Sequence, residues 1–324
     1  MSSVSFELPE SSRSLARPPS ITAYFVDRLF FAIATIGALA IIALVAYILY
    51  EIGAQAFPAI QRYGASFLVD TQWDVQKSHF GILPQIWGTL YSSLLALMIG
   101  GFVGVTIAIF LTQDFLPPRL AVSFRTLIEM LAAIPSVVFG LWGIFVVIPF
   151  IRPAANWLNE YFSYIPFFSS SLSGPGLLPA VIVLSIMILP TVAAISQDAI
   201  GLVPYRVKEA AYGMGTTKWE AILKVILPTA SAGISSALVL GFGRALGETM
   251  ALAMLIGNSN QISLSLFSPA NTLAALLASN FPEAAQTERQ ALMYAALVLL
   301  AITLIVNIIG TLILAYTSRK MGKA

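Results

Sequence analysis

Six long apolar runs, parted by polar segments, organise this sequence. They cover about residues 29–50, 86–111, 124–150, 177–197, 229–257 and 291–316. A helix crossing the hydrocarbon layer needs about 20 predominantly apolar residues, and these runs meet that length. Barrel strands would be about 10 residues long and would alternate; these runs are apolar on every face. The pattern therefore predicts an all-α membrane protein with six transmembrane helices. The run from Leu29 to Tyr50 carries no charge. It exceeds the roughly 7–15 residues of a secretion-signal core, so it reads as a retained anchor helix. The remaining segments follow: a polar tail over 1–28, with Pro18, Pro19 and several serines; an outward loop over 51–85; one transmembrane domain over 86–316; and a short tail over 317–324.

Composition agrees. Of 324 residues, 58% are hydrophobic and only 10% charged, against about 25% charged in soluble domains. The formal net charge of +2 neither favours nor excludes an anionic partner, and no nucleic-acid partner is expected. There is no cysteine, which removes disulfides and thiolate metal sites. The one histidine, His79, lies in a polar loop and has no companion ligands for a metal.

Lys and Arg favour cytoplasmic loops. Arg13, Arg17, Arg28, Arg119, Arg125, Arg206, Lys208, Lys218, Lys224, Arg319, Lys320 and Lys323 fall on one side, and only Arg62, Lys77, Arg152 and Arg289 on the other. That asymmetry puts both termini in the cytoplasm and makes 51–85, 151–176 and 258–290 the outward loops. In the second of these, Trp157, Tyr161, Tyr164 and Phe168 recur at helical spacing, as in a short helix lying at the membrane surface. Pro135 and Pro190 interrupt the third and fourth runs and predict kinks. Gly100–Gly104 and Gly243–Gly247 have the spacing that lets membrane helices pack closely.

The cytoplasmic segment VPYRVKEAAYGMGTTKWEAILKVILP, residues 203–228, has its own grammar. Pro204 suits a first helical turn. Val207, Ala210 and Ala211 share a face with room for a partner. Gly213 and Gly215 end that helix. Thr217 and Glu220 have capping-box spacing and start a second helix, with Trp219, Ile222, Leu223 and Ile226 on one face. Pro228 marks a bend into the fifth span. The segment reads as a docking element.

Glu209-Ala210-Ala211, then Gly215, then Leu227-Pro228 resemble the EAA loop of ABC-importer permeases. The spacing matches throughout, and only Val225 departs, where the family prefers Ile. The resemblance implies a type I importer permease fold, with one added N-terminal helix before a five-helix core. It also implies that this loop is a coupling helix docked on an ATP-hydrolysing subunit. No segment fits G-x-x-x-x-G-K-[ST], so no nucleotide site, and no enzyme activity, is expected in this chain. It is expected to bind no cofactor; ATP and Mg would sit on partner subunits.

ILPQIWGTL (82–90), AIPSVVFGLWG (133–143), LPTVAAISQDAI (189–200), GMGTTKWEAILKVILPTA (213–230) and GRALGETMA (243–251) resemble the phosphate-specific transport permeases, the C-type more than the A-type. That family implies an A-type sister permease, two ATPase subunits, an outside phosphate-binding protein and phosphate itself as partners in the bilayer.

Arg244 and Glu248 are four residues apart in an otherwise apolar run, which on a helix places them on one face. A mid-membrane Arg costs about 2.5–3.5 kcal/mol on insertion scales, and an exposed pair at this spacing returns only about 0.2–0.5 kcal/mol. A wet pathway explains the pair better than local pairing does. Within the family, the matching Arg and Glu are thought to line the translocation path. The expectation is that Arg244 coordinates phosphate and Glu248 orients it; the alternative is a structural lock from Arg244 to another helix, with Glu129 in the third span or a residue of the sister subunit as partner. Rival functions are a sulfate or molybdate permease, a secondary transporter, a channel and a structural scaffold. No inverted repeat, filter loop or charge ring supports the secondary transporter or the channel, and a scaffold would not need Arg244.

Overall fold

The computed structural model describes residues 21–321, so most of the expected N-terminal tail and residues 322–324 lie outside it. The chain divides into two units, residues 1–51 and 52–324. Helix α1, Ile21–Tyr63, is far longer than the expected 29–50 and takes in residues assigned to the tail. Within the first unit its apolar side chains are exposed, among them Phe30, Ile36 and Tyr50, as suits a helix whose solvent is lipid.

The second unit continues with α2 (Ser66–Val69), a hairpin of β1 (Trp73–Asp74) and β2 (His79–Phe80), and α3 (Leu83–Thr112). Then come α4 (Pro118–Ala133), α5 (Ser136–Trp142), α6 (Ile148–Phe162), α7 (Leu177–Gly201), α8 (Tyr205–Gly213) and α9 (Lys218–Ala221). The last elements are α10 (Leu227–Leu246), α11 (Met250–Leu255), α12 (Leu273–Asn280) and α13 (Gln286–Met321). The residues expected to begin a C-terminal tail at 317 continue α13 as helix to Met321.

Six helices among the described residues are long and apolar enough to cross a membrane: 24–63, 83–112, 136–162, 177–201, 218–246 and 286–315. The number agrees with the sequence reading; two positions do not. The third run, 124–150, is not one helix. Ile134 is extended (ψ 126°) and Pro135 follows at φ −60°, ψ 141°, because proline pushes the residue before it out of the helical region. Pro135 therefore breaks the chain where a kink was expected. The span is Ser136–Phe162, and α4 is a separate helix without a buried residue. The aromatic surface helix is absorbed likewise. Trp157 and Tyr161 end α6, and Phe168 lies in a short 3-10 turn, Pro166–Phe168. The fifth span runs over 218–246, so it starts inside the 203–228 segment and stops short of 257.

Two of these spans pass through π turns, Gly143–Val147 and Ile222–Ile226, each two residues ahead of a proline, Pro149 and Pro228. A proline has no N–H for the carbonyl four residues back and crowds it. A wider turn before the proline lets the helix run on.

Helix α7 is the axis of the core. Of its most apolar 18 residues 61% are buried, against 28% or less in any other span. Pro190 stays within it, buried and without ending the helix. Helix α3 approaches α7 through glycine. A Cβ at Gly100 would lie 2.5 Å from the Ser185 carbonyl oxygen, and one at Gly104 3.0 Å from the Val192 Cβ. The Gly100–Gly104 expectation therefore holds. Across the outer end, a Cβ at Gly88 would meet the Asn271 carbonyl oxygen at 2.0 Å. There the hairpin residues Phe80 and Ile82 bury with Phe67, Leu273, Leu276 and Leu292. His79 pairs with Asp70. The Asp70 carboxyl is held below its ordinary value, first by the Gln72 N–H and then by His79.

Gly88→Ala is expected to destabilise the chain by at least the roughly 1–3 kcal/mol of an overpacked core, because its obstacle is backbone and cannot swing aside. Gly37→Ala, with nothing within 4 Å, serves as the control. Thermal unfolding in detergent measures both, and equal melting temperatures would refute the close α3 approach.

Candidate functional site

The 203–228 segment folds as helix, glycine break, helix. Helix α8 follows Pro204, which caps it from outside (ψ 137°) and is not in its first turn. The chain turns at Gly215, whose φ of +82° is a left-handed conformation that suits glycine. Thr216 fastens the turn, its Oγ1 donating to the Ala211 carbonyl at 2.8 Å. The capping box is formed: the Glu220 N–H donates to Thr217 Oγ1 at 3.3 Å, and the Thr217 N–H to Glu220 Oε2 at 3.1 Å. Lys224 Nζ also donates to Glu220, at 3.3 Å.

Within α8, Glu209 and Ala210 are exposed and Ala211 is buried. Ala211 anchors the helix while Ala210 and Glu209 face outward. A surface recess of about 340 Å³ lies beside them, lined by Arg206, Val207, Ala210, Ala211, Met214 and Val225. The second helix does not present one apolar face as expected. Ile222 and Ile226 are fully buried with Ala108, Ile200 and Val203, and Leu227 packs against that cluster. Trp219 and Leu223 are exposed. The π turn over Ile222–Ile226 rotates successive residues away from simple helical spacing. Pro228 does not interrupt the helix. It is exposed within a helical run unbroken from Lys218 to Leu246, where Thr229 Oγ1 donates to the Val225 carbonyl at 2.6 Å.

Arg244 lies in the last turn of α10. The helix stops at Leu246, with Gly247 as its C-cap. Glu248 therefore lies beyond the helix end, and the expected pairing four residues apart on one face is not made. Glu248 Oε1 instead accepts the Ala251 N–H at 3.4 Å, at the start of α11. Arg244 is exposed in this chain, and its Nη1 donates to Thr191 Oγ1 on α7 at 3.3 Å. The lock to Glu129 is not made either. Glu129 is held by Arg125 of the same helix, Nε to Oε1 at 3.0 Å, and Arg125 Nη2 lies 3.9 Å from Asp198 Oδ1. The Gly243–Gly247 spacing is no packing seam: Gly247 has only its own helix nearby, and the tight approach to α7 is at Gly241, against Val192.

The structure thus brings Arg244 to Thr191 and leaves Glu248 and Glu129 without a bond to it. Sequence reasoning passed over Thr191 and Asp198. Their spacing of seven residues on one run was the available signal, since it returns to the same helix face. Near its start, α3 holds the 258–272 loop through Gln85 to Asn260 (2.7 Å), Trp87 to the Ser263 carbonyl (3.2 Å) and Tyr91 to the Leu264 carbonyl (2.9 Å). Among the described residues no group of three or more His, Asp or Glu could hold a metal ion.

Comparison with known proteins supplies a context. Residues 104–323 match the family described as binding-protein-dependent transport system inner membrane component. The chain is 39% identical over 310 residues to the phosphate transport system permease protein PstC of Haemophilus influenzae, covering 92% of this chain and 96% of that one. It is 40% identical over 272 residues to the protein of the same name from Xylella fastidiosa (strain Temecula1), covering 82% and 83%. Among solved structures, a bacterial alginate ABC transporter in complex with its alginate-bound periplasmic protein superposes with a TM-score of 0.61 at 16% identity, over 93% of this chain and 98% of that one. The MetNI methionine ABC transporter, inward facing, gives 0.55 at 16%, over 73% and 95%. At that identity the structures establish the fold, a type I ABC-importer permease.

Thr217→Ala is expected to cost the second helix about 0.5–2 kcal/mol, the usual loss of a side-chain cap. Faster amide hydrogen exchange over residues 217–222, restored by Thr217→Ser, measures it; unchanged exchange would mean that the box does not hold the helix start.

Proposed function

Because this chain belongs to the binding-protein-dependent transport system inner membrane component family, we propose that it is the permease subunit of an ATP-driven phosphate importer. The near-full-length likeness to phosphate permeases carries the choice of substrate. The protein is a multi-pass inner-membrane permease and not an enzyme. The family implies an ATPase and a binding protein as partners. The finer assignment adds an A-type sister permease, two ATPase subunits holding ATP and Mg, and an outside phosphate-binding protein. Lys and Arg asymmetry supports both termini in the cytoplasm.

In this reading α8 docks on an ATPase subunit through Glu209 and Ala210, with Ala211, Gly215, Leu227 and Pro228 giving it a fixed seat. Movement of the seat passes into the continuous helix from Lys218 to Leu246. At 1.5 Å per residue that helix delivers it roughly 40 Å away, at Arg244. A guanidinium has five donors in a planar fork that matches a tetrahedral oxyanion. Thr191 takes one of them, and the rest serve phosphate. A hydrogen bond from a charged donor returns about 1.5–3 kcal/mol, at most comparable to the roughly 2.5–3.5 kcal/mol insertion cost, and it occupies one of five donors, so Thr191 positions Arg244 without satisfying it. Glu248, beyond the helix end, adds a like charge to the anion's route and speeds release. Glu129 acts through Arg125.

ATP-dependent phosphate uptake by the whole complex in vesicles tests the reading, with sulfate as competitor. Wild type is expected to take up phosphate with little sulfate inhibition. Arg244→Gln is expected to lose at least about tenfold in uptake, the loss of one charged hydrogen bond. Equal competition by sulfate would overturn the choice of phosphate, and unimpaired uptake by Arg244→Gln would remove Arg244 from the path.

A further inference from the structure

Arg125 is a second guanidinium on the face of α7 that holds Arg244. Thr191 and Asp198 are seven residues apart on α7, close to two full turns, so they share a face about 10 Å apart. Arg244 of α10 bonds to the first, and Arg125 of α4 reaches toward the second. Asp198 is three residues from the end of α7 at Gly201, so the lower position adjoins the coupling segment. The side chains of Arg125, Glu129 and Asp198 are 50%, 55% and 71% exposed. This chain does not wall them off.

We propose that Arg125 is a second oxyanion-binding station, between Arg244 and the coupling end of α7, at which phosphate displaces Asp198 from the guanidinium. The inference rests on the phosphate-import reading. Exposed ion pairs are worth about 0–1 kcal/mol, and the 3.9 Å approach of Asp198 is long. Asp198 is thus a weak ligand that a more highly charged anion replaces easily. Glu129, at 3.0 Å, keeps the guanidinium aimed across α4 toward α7. Passage of an ion needs sites weak enough to leave and spaced closely enough to pass it on. Arg244 alone would hold its anion with nowhere to send it. When the anion departs, Asp198 recloses on Arg125.

A static α4–α7 latch is the competing account, and it needs contact but not charge. The test uses the complete complex in proteoliposomes, reading phosphate uptake and its inhibition by phosphate loaded inside. Arg125→Gln is expected to lower maximal uptake about tenfold or more, as for a lost charged hydrogen bond. The half-saturating level of loaded binding protein should stay unchanged and inhibition by internal phosphate should weaken. Arg125→Lys should recover part of both, and Asp198→Asn should strengthen internal inhibition by removing the competitor. The pair Arg125→Gln with Asp198→Asn replaces the ion pair by neutral amides that can still touch; wild-type uptake in it would establish a latch and overturn the proposal. Wild-type uptake and wild-type internal inhibition in Arg125→Gln would do the same. A wild-type complex that carries no phosphate defeats the parent reading, whereas these outcomes in a phosphate-carrying complex defeat only the station at Arg125.

Discussion

In lipid every backbone N–H and C=O must find its partner inside the protein, and this constraint decides where each helix of the chain is allowed to stop. It explains why the prolines behave so differently. Pro190 lies buried in α7 and the helix passes through it. Pro149 and Pro228 are preceded by π turns, and their helices also continue. Only exposed Pro135, with Ile134 extended before it, ends a helix. The stops at Pro135 and Gly247 free polar groups, and both adjoin charged side chains, Glu129 on one side and Arg244 with Glu248 on the other. Both stops fall at the ends of spans, before Ser136 and after Leu246, and charged residues lie near each.

The second dependency is the approach of α3 to α7. Glycines 100 and 104 let α3 lie against a helix that is buried along most of its length. With α7 fixed this way, one of its faces remains for Thr191 and Asp198, and the coupling segment hangs from its end through Ile200 and Val203. The 203–228 segment and the arginine are thus both referred to α7.

Much of this was legible in the sequence. The six spans, the capped double helix of residues 203–228 and the Gly100–Gly104 seam follow from periodicity, cap chemistry and small-residue spacing. What was not legible has a common cause. Gly243 and Gly247 fit a packing motif, yet glycine is also the commonest helix stop, and only the surroundings choose between them. The apolar pattern of 124–150 runs straight across Pro135 because hydropathy counts side chains and not backbone angles. The partner of Arg244 was sought among acids at helical spacing. Its neighbour is a threonine hydroxyl from another helix, 53 positions away in the chain, which no local pattern reveals.

The π turn at Ile222–Ile226 sets a phase. One surplus residue is threaded into a helix that would otherwise repeat every 3.6 residues, so everything beyond it is turned by about 100° relative to an ordinary helix of the same origin. The azimuth at which Arg244 leaves α10 is therefore fixed five turns upstream, by a wide ring seated against the coupling segment. Tightening that ring to an α turn would swivel the guanidinium around the helix axis with hardly any change in its depth.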